Sequence, residues 1–163
     1  MAEDFENAVV LLLPNLRRFA LSLCRNPHVA DDLVQGTCER AFSKQASFQP
    51  GTRLDAWLFR ILRNLWIDRL RKEKNESQTD EINETTDWPD SHGDPVAETR
   101  LLLRQVSDLI LKLPDTQREV LMLVCVEGLS YKETAEILDI PIGTVMSRLA
   151  RARQEICMAA GIT

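Results

Sequence analysis

Histidine is scarce in this chain, with two in 163 residues, and its four cysteines form no pair at close spacing. Cys24, Cys38, Cys125 and Cys157 lie far apart, each inside an apolar helical pattern, and read as buried, reduced thiols. A zinc site built with His28 or His92 would need closely spaced ligand pairs, which are missing. Neither a metal nor a cofactor is expected. A Gly-rich phosphate loop is also missing, and no carboxylate partner is in view for either histidine, so an enzyme is the weakest reading. No apolar run approaches the roughly 20 residues of a membrane span. Met1, Ala2, Glu3 and Asp4 lack the basic character of a signal-peptide start. The expectation is a cytoplasmic protein without membrane insertion. Alternating strand patterns and internal repeats are absent too, which leaves an all-α fold.

Positive net charge is the other absence, because the formal charge is −5. That value speaks against nucleic-acid binding only until it is divided along the chain. Residues 1–74 hold 12 Lys/Arg and 9 Asp/Glu, residues 75–95 hold none and 7, and residues 96–163 hold 8 and 9. Between Arg53 and Lys74, seven basic residues (Arg53, Arg60, Arg63, Arg69, Arg71, Lys72, Lys74) face only Asp55, Asp68 and Glu73. The chain has a local basic patch within an acidic whole.

Apolar periodicity divides the chain further. Phe5, Val9, Leu12, Leu16, Phe19 and Leu23 recur at steps of four and three, marking a helix that Pro14 should kink or restart. Asn26 and Pro27 read as a turn, followed by a second helix to about Phe42. Ser47 to Thr52 reads as loop, and Leu54, Trp57, Leu58, Ile61 and Leu65 set the buried face of a third helix ending near Lys72. Asp68, near the edge of that face, is expected to pair with an arginine. Residues 75–96 lack periodicity and their charge is wholly acidic, so they read as a flexible linker. Past them, Thr99, Leu102, Leu103, Val106, Ile110 and Leu113 form a helical stripe that Pro114 ends. Thr116 with Glu119 and Ser130 with Glu133 both have the spacing of a capping box. The expected architecture is two small helical domains, 1–74 and 97–163, on one tether.

The strongest local signal is LSYKETAEILDIPIGTVMSRLARAR, Leu129 to Arg153. Two helices flank a tight turn, with Ala135 small where they cross, Asp139 able to take the left-handed turn conformation, and Val145 beneath the second helix. These are the parts of a helix-turn-helix. At 100° per residue, Val145, Leu149, Ala152 and Ile156 share a face and leave Thr144, Ser147, Arg148 and Arg151 turned away, where they can reach base edges. Lys132, beside the capped start at Ser130, and Arg153 are placed for phosphate.

Two motifs in order resemble the extracytoplasmic-function sigma factors of RNA polymerase. ADDLVQGTCERAF, Ala30 to Phe42, is similar to the region-two helix that docks on the polymerase clamp. LPDTQREVLMLVCVEGLSYKETAEILDIPIGTVMSRLARAR, Leu113 to Arg153, resembles region four throughout. Between them, FQPGTRLDAWLFRILRNLWIDRLRKEK, Phe48 to Lys74, looks like the segment that opens and reads the minus-ten element. The resemblance implies a non-enzymatic subunit that binds core RNA polymerase and promoter DNA, in a stress response and under an anti-sigma factor. It assigns docking to Asp32, Leu33, Val34 and Gln35. It assigns minus-ten contacts to Phe48, Arg53, Leu54, Arg60, Asn64, Trp66 and Arg71, and minus-thirty-five contacts to Lys132, Thr144, Ser147, Arg148, Arg151 and Arg153. Gly36 departs from the pattern, which usually has an acidic residue there. Two rivals make different demands. A free-standing helix-turn-helix regulator needs no docking helix, and a sigma mimic that sequesters a regulatory partner need not keep the stripe Arg60, Asn64, Ile67 and Arg71, at steps of four, three and four off the apolar face of the third helix, or the arginines of the last helix.

Overall fold

The computed structural model describes residues 2–76 and 97–161, and every long element among them is helical. The chain divides into two compact units, Met1–Thr86 and Asp87–Thr163. The expected linker lies outside the described residues, except that Asn75 and Glu76 continue the third helix.

The first unit packs α1 (Ala2–Cys24), α2 (Pro27–Ser43) and α3 (Leu54–Glu76) against one another. Its core is Val9, Leu16, Phe19, Ala20 and Leu23 from α1, Ala30, Leu33 and Ala41 from α2, and Leu58, Phe59 and Leu62 from α3. Phe19 and Phe59 meet edge to face, their centroids 5.3 Å apart, the arrangement that the ring quadrupole favours. Phe59 and Leu62 displace the expected face of α3, where Ile61 and Leu65 are only half-buried.

Pro14 does not restart α1, which runs unbroken through it. Proline removes the bond to the carbonyl four residues back, and here that residue, Val10, is 56% exposed, so water can satisfy the freed oxygen. Asn26 and Pro27 form a helix start instead of a turn. The Asn26 side chain accepts from the amides of His28 and Val29 at 2.9 and 3.3 Å, and Pro27 occupies the first position, where its missing N–H costs nothing. By length and composition α1 is apolar enough to cross a membrane, contrary to the expectation of no such run, although the core helix of a soluble protein passes the same test. Its apolar face is covered by α2 and α3, and its Arg17 Nε donates to Asp31 Oδ1 at 2.9 Å.

The second unit holds α4 (Ala97–Leu111), α5 (Asp115–Leu121), a π-helical turn over Met122–Val126, α6 (Tyr131–Leu138) and α7 (Ile142–Ala159). Val120 to Leu123 lie in the core with Leu138, Val145, Leu149 and Ala152. The expected Thr116 box is not formed. Pro114 caps α5 without a side-chain bond, placing Thr116 inside the first turn and Glu119 in a buried position. Arg118 takes over the local satisfaction: 2% exposed, it donates to the carbonyls of Leu113 (2.8 Å) and Leu111 (3.4 Å) and pairs with Asp115. A buried guanidinium is tolerated only with such partners.

The stripe expected on α4 is buried only at its end. Ile110 and Leu113 are covered, but Leu102, Leu103 and Val106 are 59%, 47% and 40% exposed. None of the four thiols is fully buried, contrary to expectation. Cys24 and Cys38 are half-buried, whereas Cys125 and Cys157 are exposed. Cys125 lies in the π-helical turn, whose extra residue per turn swings it out of the core face.

Candidate functional site

The helix-turn-helix begins with a complete capping box. Ser130 Oγ accepts from the Glu133 amide and Glu133 Oε1 from the Ser130 amide, each at 3.0 Å, so two otherwise orphaned donors are satisfied. Asp139 ends α6 with φ 54° and ψ 51°, the left-handed conformation expected of it, and Pro141 precedes α7. Val145, Leu149 and Ala152 are no more than 1% exposed and fix the roll of α7. That roll decides which residues face outward. Ser147, Arg151 and Arg153 are exposed, Thr144 and Arg148 half-buried, and Lys132 exposed near the start of α6. Ser147 Oγ donates to the Thr144 carbonyl at 3.2 Å. Arg153 Nη2 donates to Cys125 Sγ at 3.8 Å, and this contact holds its guanidinium above the usual range. Cys125 was not singled out beforehand as a neighbour of the site, because the contact joins positions 28 residues apart.

In the first unit, Arg60, Asn64 and Arg71 are exposed on α3, with Trp66 half-buried on the same helix. Phe48 and Trp57 lie 5.3 Å apart, and Phe5 lies 6.0 to 6.2 Å from Phe48, Phe42 and Trp57. Phe48 is therefore part of an aromatic cluster that anchors the loop before α3. Arg53 is paired with Asp55 through Nε and Nη2 at 3.0 and 2.6 Å, ahead of the first turn that Leu54 opens.

On α2, Asp32 and Gln35 are exposed one turn apart, and Val34 is half-buried. Leu33 is only 4% exposed and belongs to the unit's own core, so it shapes the helix face rather than presenting a contact. Gln35 Nε2 donates to Glu39 at 3.3 Å, and Asp32 lies 3.9 Å from Arg69 of α3. Asp68, expected to be paired, is exposed with no ion pair among the described residues. It lines a cleft between α2 and α3 together with Arg40, Arg69, Arg71 and Lys72.

A helix-turn-helix with exposed arginines on its second helix, in one chain with a separate three-helix unit carrying a basic helix, has the organisation of a transcription-initiation subunit. The sigma-70 region 2 family matches residues 9–76, and the sigma-70 region 4 family matches residues 103–156. The ECF RNA polymerase sigma factor EcfG of Rhodopseudomonas palustris is 37% identical over 156 residues, spanning 96% of this chain and 84% of the relative. SigW of Bacillus subtilis, of the same description, is 32% identical over 94% of this chain and 87% of its own. Among solved structures, the sigma factor RpoE in complex with the anti-sigma factor NepR, from Bartonella quintana, matches with a TM-score of 0.82 and 36% identity over 98% of both chains. The chain belongs to the ECF RNA polymerase sigma factors.

Proposed function

We propose that the first unit docks on core RNA polymerase and opens the minus-ten element, and that the second reads the minus-thirty-five element. The observation that carries this reading is the outward set of α7: Ser147 and Arg151 are exposed opposite a face sealed by Val145, Leu149 and Ala152. An arginine so placed can hydrogen-bond guanine in two places, and Thr144, Ser147 and Arg148 sit within the turn of helix that enters a groove. Lys132 and Arg153 take phosphates, which position the helix without reading sequence.

In the first unit, Arg60, Asn64 and Arg71 recur at steps of four and seven along α3 and follow a separated strand. Trp66 offers a stacking surface, while Phe48, Arg53 and Leu54 shape the loop against which an extruded base is held. Extrusion costs a few kcal/mol, which cationic walls and stacking offset. No step needs catalysis by this chain. Asp32 and Gln35 present the docking contacts, with Leu33 and Val34 packing the helix behind them. An anti-sigma factor restrains the protein until a stress signal arrives, as supported by the complex in which its structural relative was solved. The site of action is the cytoplasm.

The test is transcription in vitro with purified core polymerase over a genomic promoter library. Initiation at a defined promoter set that depends on this chain is expected. Tight operator binding by the free chain, with no transcription on addition of core, would replace this reading with a free-standing regulator.

A further inference from the structure

The cleft between α2 and α3 has a volume of about 560 Å³ and an uneven charge. Leu33 and Leu65 line it, and Gly36 keeps it open: a Cβ at Gly36 would stand 3.2 Å from Leu65 Cδ1. Any larger side chain at that position would project into the space between the helices. Of the charged groups around it, Arg69 is already committed, 3.9 Å from Asp32 and 3.3 Å from Glu73. That leaves Arg40 and Lys72, neither assigned to DNA and neither with an ion pair among the described residues, against the carboxylate of Asp68. Two such cations against one anion around an opening lined in part by apolar side chains form an acceptor for negative charge.

From this geometry we infer that the cleft receives an acidic side chain of core RNA polymerase, making the docking surface two-part. Asp32 and Gln35 offer hydrogen-bond acceptors and donors on α2, and the cleft beside them takes a carboxylate from the partner. A carboxylate suits the site better than a DNA backbone. A run of phosphates would have to pass along Asp68, whereas one side chain can lay its methylenes on Leu65 and its head beside Arg40 and Lys72. Arg69 makes the exchange possible. Its planar fork can turn from Asp32 to the incoming carboxylate and release Asp32 to the partner's own donors.

The inference rests on the docking role proposed for α2, so its test includes both surfaces. Affinity of the full chain for purified core polymerase is measured across a salt series for three variants. These are Arg40→Glu/Lys72→Glu, Asp32→Ala/Gln35→Ala, and a control, Lys112→Glu, on the second unit. All these positions are exposed, so the helices should persist; circular dichroism checks this. The cleft variant is expected to bind core at least tenfold more weakly than the control and to show a shallower dependence on salt. If it binds like the control while Asp32→Ala/Gln35→Ala loses affinity, the cleft is idle and docking by α2 stands. If neither variant loses affinity, both assignments fall. If the cleft variant binds core normally but its holoenzyme fails to open promoters, the cations serve DNA and the inference is overturned.

Discussion

The contacts proposed for individual side chains would divide promoter recognition into separable steps. Arg151 is exposed on α7, distant in sequence from the residues assigned to strand opening on α3. Arg151→Ala is expected to weaken recognition of the minus-thirty-five element by roughly 1–3 kcal/mol, the range for a bidentate base contact, and to leave melting intact. Asn64→Ala should impair opening while closed-complex binding survives. Permanganate footprinting of exposed thymines, run beside binding titrations, tells the two apart; equal defects at both steps for both variants would undo the assignment. Thiols divide just as clearly. Burial pushes the Cys24 and Cys38 thiols above their ordinary value of 9.0, while Cys125 and Cys157 are exposed. Because the thiolate is the reacting form, a maleimide at pH 8 should label Cys125 and Cys157 severalfold faster in the native protein, and all four alike in denaturant. The sign for stability follows. Below pH 9 the buried thiols contribute equally to folded and unfolded chains, and above it the unfolded thiols ionise first, so stability falls as pH rises through the raised folded values.

Helices and turns were legible in the sequence where their causes are local. Asp139 holds φ 54° in the tight turn between α6 and α7, where its backbone N–H donates to the Ala135 carbonyl. Replacing it with glycine should leave stability unchanged or raise it by up to about 1 kcal/mol, whereas Asp139→Val should lower it by about 1–2 kcal/mol, since a β-branched residue resists that conformation. Urea midpoints of the full chain measure both, and a loss with glycine matching that with valine would mean the turn depends on the carboxylate itself. The Ser130 box, the left-handed Asp139 and the inward Val145 follow from neighbours within a few residues, so the helix-turn-helix could be placed from its letters. Errors arose where the outcome depends on distant chain. Pro14 is absorbed because the carbonyl it frees faces water. Thr116 loses its capping role because Pro114 caps α5 and Arg118 reaches the Leu111 carbonyl at the end of α4. Leu102, Leu103 and Val106 have helical periodicity, but most of that face receives no cover within its unit. The π-helical turn that exposes Cys125 has no periodic signature at all. On α7 the face expected to be buried is buried at Val145, Leu149 and Ala152 and leaves Ser147 and Arg151 exposed, whereas on α3 the buried face is displaced to Phe59 and Leu62. The cleft beside Gly36 was not legible, because it exists only where α2 meets α3.

On the scale of the whole molecule, each unit has its own core, so the two proposed DNA contacts would be carried by separately folded parts of one chain. Their joint affinity depends on how well the connection fixes their separation. If each unit alone bound DNA with a Kd of roughly 10⁻⁴ M, the weak end of non-specific binding, an effective concentration of about 1 mM would give a joint Kd of only about 10⁻⁵ M. That value lies far from the 10⁻⁸ M or tighter typical of specific complexes, roughly a thousandfold or about 4 kcal/mol away. Core polymerase can supply the difference by holding both units at one spacing, so that the second contact forms without a further search. The free chain is therefore expected to bind promoter fragments weakly and with a steep dependence on salt, and the same chain on core polymerase to bind them at least a hundredfold more tightly. Inserting or deleting bases between the two promoter elements should abolish this gain in the holoenzyme and barely affect the free chain. Gel-shift titrations with and without core, on a spacer-length series, measure both quantities. Nanomolar, spacer-sensitive binding by the free chain would show that the two units are already held in register without polymerase, and would place the source of specificity in this chain alone.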